Sequence, residues 1–224
     1  MLVAMSFSLA RGKTMDVGEV GLLDEQLPPF EDGVIDLNGW FAQPDAGVAP
    51  MEIEIGSGKG TFLVQHAVQQ TETNFIGIEW AKQFWQYAAD RVRRHGIKNV
   101  KLLRAEASFF LRNYVADGII KQVHIYFPDP WPKARHNKRR LIQVPLLEDV
   151  HRVLTDDGQI RIATDHMDYF EWMGEHVAQV PELFDRLPFE SPESAGEGEL
   201  VGTNFERKYR REGRPFDGMV LKKK

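Results

Sequence analysis

Five short apolar runs, Met51–Ile55, Phe75–Ile78, Val100–Leu103, Val123–Phe127 and Gln159–Ala163, alternate with longer stretches whose apolar residues recur every three to four positions. The short runs suit strands and the longer ones amphipathic helices. Thr61–Gln70 carries Phe62, Leu63 and His66–Ala67 at helical spacing, and Phe84, Ala88 and Val92 mark one face of the next helix. Leu147, Val150 and Leu154 mark another, after Pro145, which fits only a first helical turn. A further helix is expected near Asp168–Gln179. Strands alternating with helices predict an α/β fold, a mostly parallel twisted sheet with crossover helices on both faces. Beyond it, Leu183–Leu187 and Gly202–Arg211 flank a Gly- and Glu-rich insert and are expected to close the sheet as an antiparallel C-terminal hairpin. Residues 1–45 hold Gly, Pro and acid without periodicity, which reads as an irregular or partly mobile arm ahead of one domain over 46–224.

At 224 residues and 42% hydrophobic content, the chain can build one buried core. No apolar run approaches the roughly 18 residues that cross a bilayer, and Met1–Met5 lacks the charged leader and apolar core of a signal peptide. A soluble, cytoplasmic protein without membrane contact is expected, as monomer or homodimer. The absence of cysteine removes disulfides, thiolate nucleophiles and cysteine-held metals. The seven histidines show no pairing such as His-x-x-x-His, so no metal is expected. A net charge of −5 argues globally against a polyanionic partner. Its layout changes that: acid collects at Asp16–Asp32 and Glu182–Glu199, base at Lys133–Arg140, Arg207–Arg214 and Lys222–Lys224. Screening confines each charge to about 10 Å, so the local cationic clusters keep a nucleic-acid partner open.

Glu54-Ile55-Gly56-Ser57-Gly58-Lys59-Gly60-Thr61 follows the first apolar run and opens the first helix, where doubly wound sheets bind nucleotide-like ligands. A tight strand-to-helix turn would use the same glycines. A phosphate-binding P-loop fails on register, because Ile53 and Gly60 stand where it needs Gly and Ser or Thr. A dinucleotide loop is the nearer rival, with its third glycine one residue early. Acid tips the choice: Glu54 would repel a pyrophosphate and suits a ligand carrying an ammonium and a sulfonium. Glu79, closing the second strand, is placed to grip two ribose hydroxyls, and Glu106, after the third, to meet an adenine amino group. Acids at three successive strand ends, with Gly56 and Gly58 between them, point to S-adenosylmethionine.

Phe127–Arg140 joins a carboxylate set between prolines to a dense cationic run. Pro128, Pro130 and Pro132 stiffen the segment, so Asp129 is expected on a fixed rim at the end of the fourth strand, beside the topological switch and the cofactor's methyl group. Asp129 could serve as a turn carboxylate. It could also accept hydrogen bonds from a guanine edge and offset positive charge arising on the ring. Guanine N7 has a free lone pair, so its methylation needs no strong base, and Trp131 offers a face for a base. Asp165 after the fifth strand lies on the same rim, as substrate contact or as N-cap of the next helix. Lys133, Arg135, Lys138, Arg139 and Arg140 are expected to contact backbone phosphates, unless the run is a solvated loop. Thr203-Asn204-Phe205-Glu206 and the base after it would form a second wall of the pocket, or a charge-protected edge strand.

At these residues, from about Glu52 to Pro215, the chain resembles the bacterial tRNA (guanine-N7-)-methyltransferases. Phe127–Arg140 is the most specific segment, Thr203–Glu206 the next, while Glu54–Gly58 is common to many methyltransferases. The resemblance implies a class I (Rossmann-like) methyltransferase fold and methyl transfer from S-adenosylmethionine to N7 of a guanosine in the tRNA variable loop, position 46. It also implies that Glu54, Glu79 and Glu106 bind cofactor, that Asp129 is the active-site carboxylate and touches cofactor, and that Lys133, Asp165 and Thr203 through Glu206 bind substrate. Glu106 stands where the family more often has Asp, and Asn204 where Lys is frequent. The N-terminal arm lacks the strong basic character of some relatives.

Overall fold

The structure, a computed structural model, describes residues 14–42 and 48–224, apart from the side chain of Asn204. In chain order its elements are Gly21–Leu23 (β1), Met51–Ile55 (β2), Thr61–Ala67 (α1), Asn74–Ile78 (β3), Lys82–Arg94 (α2), Val100–Arg104 (β4) and Ala107–Tyr114 (α3). Ile120–Tyr126 (β5), Val144–Val153 (α4), Leu154–Thr164 (β6), Met167–Val177 (α5), Phe184–Pro188 (β7), Asn204–Arg210 (α6) and Asp217–Lys223 (β8) complete it. The strands form one sheet in the order β1-β4-β3-β2-β5-β6-β8-β7, with β1 to β6 parallel and β8 antiparallel to both β6 and β7. The chain runs outward from β2 through β3 to β4, then returns to the other side of β2 to lay down β5. The direction of winding therefore reverses between β2 and β5, the place above which open α/β sheets bind their ligands.

The sheet is covered on both faces because its central strands are apolar on both. Ile53, Ile55, Ile76, Ile78, Val123 and Ile125 join the core with Phe110 and Leu111 of α3, Leu146, Leu147 and Val150 of α4 and Met173 of α5. Phe75 and Leu102 face the other way and pack with Leu63 and Ala67 of α1 and Trp85, Ala88 and Val92 of α2. Trp85 satisfies its indole N–H on the Leu102 carbonyl at 2.9 Å, which ties α2 to β4. At the centre of this second face the pattern breaks: Glu52, Glu54 and His124 alternate with the isoleucines and valines and are buried.

The expected strands are all present, β2 with the same ends and β6 extended back to Leu154. The closing hairpin differs. Its first strand is β7, but Gly202–Arg211 contains the helix α6, and the second strand is β8. Local chemistry explains the helix: the Thr203 hydroxyl accepts from the Glu206 N–H at 3.1 Å as an N-cap, and Arg207, Lys208 and Arg210 crowd the C-terminal turn, where cations favour the helix dipole. Of the stretch read as an arm, 14–42 is largely irregular, yet β1 pairs with β4, and Leu37 and Phe41 are buried in the core. Residues 1–13 and 43–47 lie outside the described residues.

Candidate active site

Because β2, β3, β4, β5 and β6 are parallel, their C-terminal ends share one edge, and that edge carries the acids. Above β2 the chain turns through Gly56 (φ 78°), Gly58 (φ 53°) and Gly60 (φ 64°), a left-handed backbone that disfavours any side chain. A Cβ on Gly56 would meet nothing within 4 Å, so the space above it is open, whereas one on Gly60 would sit 3.0 Å from Ala88 Cβ. Gly60 is thus required by close packing and Gly56 by its backbone conformation. The Gly56 and Ser57 N–H groups donate to the Ile78 carbonyl at 2.8 and 3.1 Å, which fastens the loop to the end of β3.

Glu79 accepts from the Gly58 N–H through Oε2 and from the Ala81 N–H through Oε1, each at 2.8 Å. Burial raises its carboxyl pKa; these N–H groups oppose the rise, and the charge of Asp129 adds to it. Glu54 is 4% exposed, and its Oε2 has no hydrogen-bond partner. Burial, then the charge of Glu79, pushes its carboxyl well above the usual range. The charge of Glu79 thus acts on Glu54, and that of Asp129 on Glu79. Such a cluster of carboxylates has a place ready for a cationic ligand. Glu106 takes a different post: as N-cap of α3 it accepts from the Ser108 and Phe109 N–H groups at 3.0 and 2.6 Å, and it is solvent-exposed.

Asp129 is exposed on the loop beyond β5, between two non-glycine residues of left-handed backbone, Phe127 (φ 53°) and Trp131 (φ 44°). Such conformations persist only where neighbours enforce them. Phe127 donates its N–H to the Ala163 carbonyl at 2.7 Å, and its ring stacks on Phe205 at 5.0 Å and meets Phe216 edge-on at 5.7 Å. Trp131 lies under the Arg139 guanidinium at 4.9 Å and against His136 at 5.9 Å. Asp129 is thereby clamped from both sides.

The cationic run divides. Lys133, Arg135, Lys138 and Arg139 are exposed on or beside the short 3-10 helix Ala134–Arg139. Arg140 is not available to a phosphate: it is 2% exposed, donates Nε to the Pro130 carbonyl at 2.9 Å, pairs with Asp168, and lies over the rings of Tyr169 and Trp172 at 5.0 and 5.2 Å. Its guanidinium is flat and apolar-faced enough to be sandwiched inward, and it ties the proline loop to α5. Asp165 pairs with Arg214 at 2.9 Å, and the N-cap of α5 is His166 instead. Thr203 caps α6 and Phe205 packs on the proline loop. Glu206 is 0% exposed and accepts the N–H groups of Leu200, Val201 and Gly202 and the Arg210 Nε, so it organises the wall and does not reach into the pocket.

Residues 48–217 match a methyltransferase family, Methyltransf_4, whose description reads "Putative methyltransferase". The chain is 41% identical to a tRNA (guanine-N(7)-)-methyltransferase of Corynebacterium efficiens over 80% of its own length and 70% of that protein's, and 37% identical to one of Streptococcus thermophilus over 73% and 76%. It belongs to the tRNA (guanine-N(7)-)-methyltransferase family. Among solved structures, an aminoglycoside resistance methyltransferase, NpmB1, superimposes with a TM-score of 0.53 at 15% identity, covering 78% of this chain and 87% of that one. An rRNA methylase of Streptococcus thermophilus does so with 0.52 at 12% identity over the same shares. At such identities the likeness is one of fold, the class I methyltransferase fold.

Two features of this methyltransferase escaped the sequence reading. Trp80, beside Glu79, is 64% exposed on the same rim and offers a flat face to a purine. The other is a buried group, Glu52, His66 and His124, whose ligating atoms lie within 4.8 Å of one another. Spacing along the chain conceals it because its members come from β2, α1 and β5. The visible signal was alternation in Met-Glu-Ile-Glu-Ile and Val-His-Ile-Tyr, since central parallel strands normally read as continuous apolar runs.

Proposed function

We propose that this enzyme transfers the methyl group of S-adenosylmethionine to N7 of the variable-loop guanosine at position 46 of tRNA. The observation that carries the reading is the placing of Glu54, Glu79 and Asp129 at the C-terminal ends of β2, β3 and β5, where the winding of the sheet reverses, with Glu54 buried and one of its carboxylate oxygens unpartnered. Glu54, buried and with an unpartnered oxygen, receives the donor's ammonium. Glu79 turns toward the ribose hydroxyls, and the open backbone at Gly56 and Gly58 admits the donor closely. Glu106 already caps α3, so it meets the adenine amino group with lone pairs left over from its two N–H bonds.

Asp129, held on the rim by Phe127 and Trp131, lies next to both donor and base. The N7 lone pair attacks the methyl carbon in line, the carbon–sulfur bond breaks, and its electron pair stays on sulfur as a neutral thioether. Positive charge passes from sulfur to the purine, and no proton leaves the attacked atom. Asp129 offsets that charge on the purine, so catalysis is positioning plus electrostatics. Lys133, Arg135, Lys138 and Arg139 take the RNA backbone, with Asp165, Thr203, Asn204 and Phe205 forming the facing wall. The protein names of the relatives support the same substrate.

Purified protein given methyl-labelled S-adenosylmethionine and unmodified tRNA is expected to place label on guanine N7, read by strand scission at the modified base. Asp129→Ala is expected to lose at least about a hundredfold in turnover while tRNA binding stays near wild type. Label on protein or on a small molecule alone would refute the reading.

A further inference from the structure

We propose that Glu52, His66 and His124 form a binding site for a divalent transition-metal ion of the zinc type, between α1 and the central strands β2 and β5. The three side chains are 6%, 7% and 0% exposed. Both imidazoles direct Nε2 at one carboxylate oxygen: His124 Nε2 lies 2.8 Å and His66 Nε2 3.8 Å from Glu52 Oε2. A tetrahedral ion with bonds of about 2.0–2.1 Å spaces its ligands about 3.3 Å apart. The two observed separations bracket that value, so each changes by about half an ångström on binding.

The opposite ring nitrogens are already occupied as metal-held histidines require. His124 Nδ1 is 2.8 Å from the Tyr126 hydroxyl and His66 Nδ1 is 3.1 Å from Ser194 Oγ, outer contacts that fix each ring and leave Nε2 to the ion. The Phe62 ring packs on His66 and His124 at 4.8 and 4.7 Å and covers one side of the group. The Gln122 amide nitrogen, 3.1 Å from His124 Nε2 and 3.4 Å from Glu52 Oε2, faces the group as a hydrogen-bond donor and is no ligand, so a water completes the four ligands of the ion.

Two imidazoles select zinc-like ions over magnesium and calcium, which demand oxygen. The ion would pin the first helix after the glycine loop to the strands that carry Glu54 and lead to Asp129. Through Ser194 it would reach the segment ahead of α6. It takes no part in methyl transfer.

The full chain, stripped with a chelator and titrated with zinc against a chromophoric competitor, is expected to take up one equivalent. His66→Gln and His124→Gln are each expected to weaken uptake at least about tenfold, and exposed His95→Gln to leave it unchanged. Circular dichroism in ion-free buffer verifies that the variants fold. Cobalt substituted into the wild type is expected to show the intense visible bands of a four-coordinate site, which decides the matter should a variant misfold. No stoichiometric uptake, uptake that survives both histidine changes together, or the weak spectrum of six-coordinate cobalt overturns the proposal.

Discussion

Glu54→Gln is expected to stabilise the ligand-free protein at pH 7 while weakening its hold on S-adenosylmethionine. Glu54 is buried, one of its carboxylate oxygens has no partner, and burial followed by the Glu79 charge raises its carboxyl well above the usual range. A carboxyl raised in the folded state opposes folding whenever it is ionised. That cost is full above the folded pKa and fades as pH falls toward the unfolded value of 4.5. Glutamine keeps the shape and removes the charge. Leaving a buried polar group unsatisfied costs about 1–3 kcal/mol, and the new amide N–H groups need partners of their own, so the gain belongs near the lower end. About 1 kcal/mol shifts the melting temperature of a domain this size by about 2–4 °C. The same change removes a charge-assisted hydrogen bond to the donor's ammonium, worth about 1.5–3 kcal/mol, or roughly tenfold to a hundredfold in affinity. Melting curves from pH 8 down to pH 5, with calorimetric titration of S-adenosylmethionine, test both halves. A variant that melts lower at pH 7 and binds the donor as wild type does would refute the reasoning.

The two halves of the cationic run are expected to separate experimentally. Lys138→Ala with Arg139→Ala is expected to lower the slope of log affinity for tRNA against log salt by about 1.4–1.8, two phosphates' worth. Arg140→Lys, which cannot reproduce the fork between the Pro130 carbonyl and Asp168, is expected to lower the melting temperature and turnover and leave that slope alone. A reduced slope in Arg140→Lys would return that residue to the RNA. Acid is expected to act through His66, whose pKa burial and then His124 lower from 6.5 to about 4. Above 6.5 the group is neutral in both states. Between 6.5 and about 4 only the unfolded chain takes up the proton, so stability falls by about 1.4 kcal/mol per pH unit, on the order of 3 kcal/mol in all. Urea titrations of wild type and His66→Gln across that window, in ion-free buffer, are expected to diverge; parallel curves would contradict it.

Alternating apolar runs were enough to read the parallel sheet, because a strand buried on both faces is mostly apolar along its length, with β2 and its Glu52 and Glu54 as the exception, and a crossover helix must show a periodic face. β2 falls at Met51–Ile55 as read, and Glu54, Gly56, Gly58 and Glu79 follow because strand ends and the loops beyond them are local features. Gly202–Arg211 holds a helix where a closing strand was expected, and its local signal is plain. A Thr with Glu three residues on is a helix start, and the cationic residues after it suit a helix end.

The chain by itself determined the alternation of strands and helices, the acids at the strand ends and the stiff proline segment that carries Asp129, because each depends on neighbours a few residues apart. Only the tertiary structure decided which arginine of the cationic run turns inward and that Glu206 is spent on backbone N–H groups. It alone also brought Glu52, His66 and His124 to one point. Those outcomes rest on where a long side chain finds partners across elements, and packing between distant segments, which no spacing along the sequence encodes, settles that.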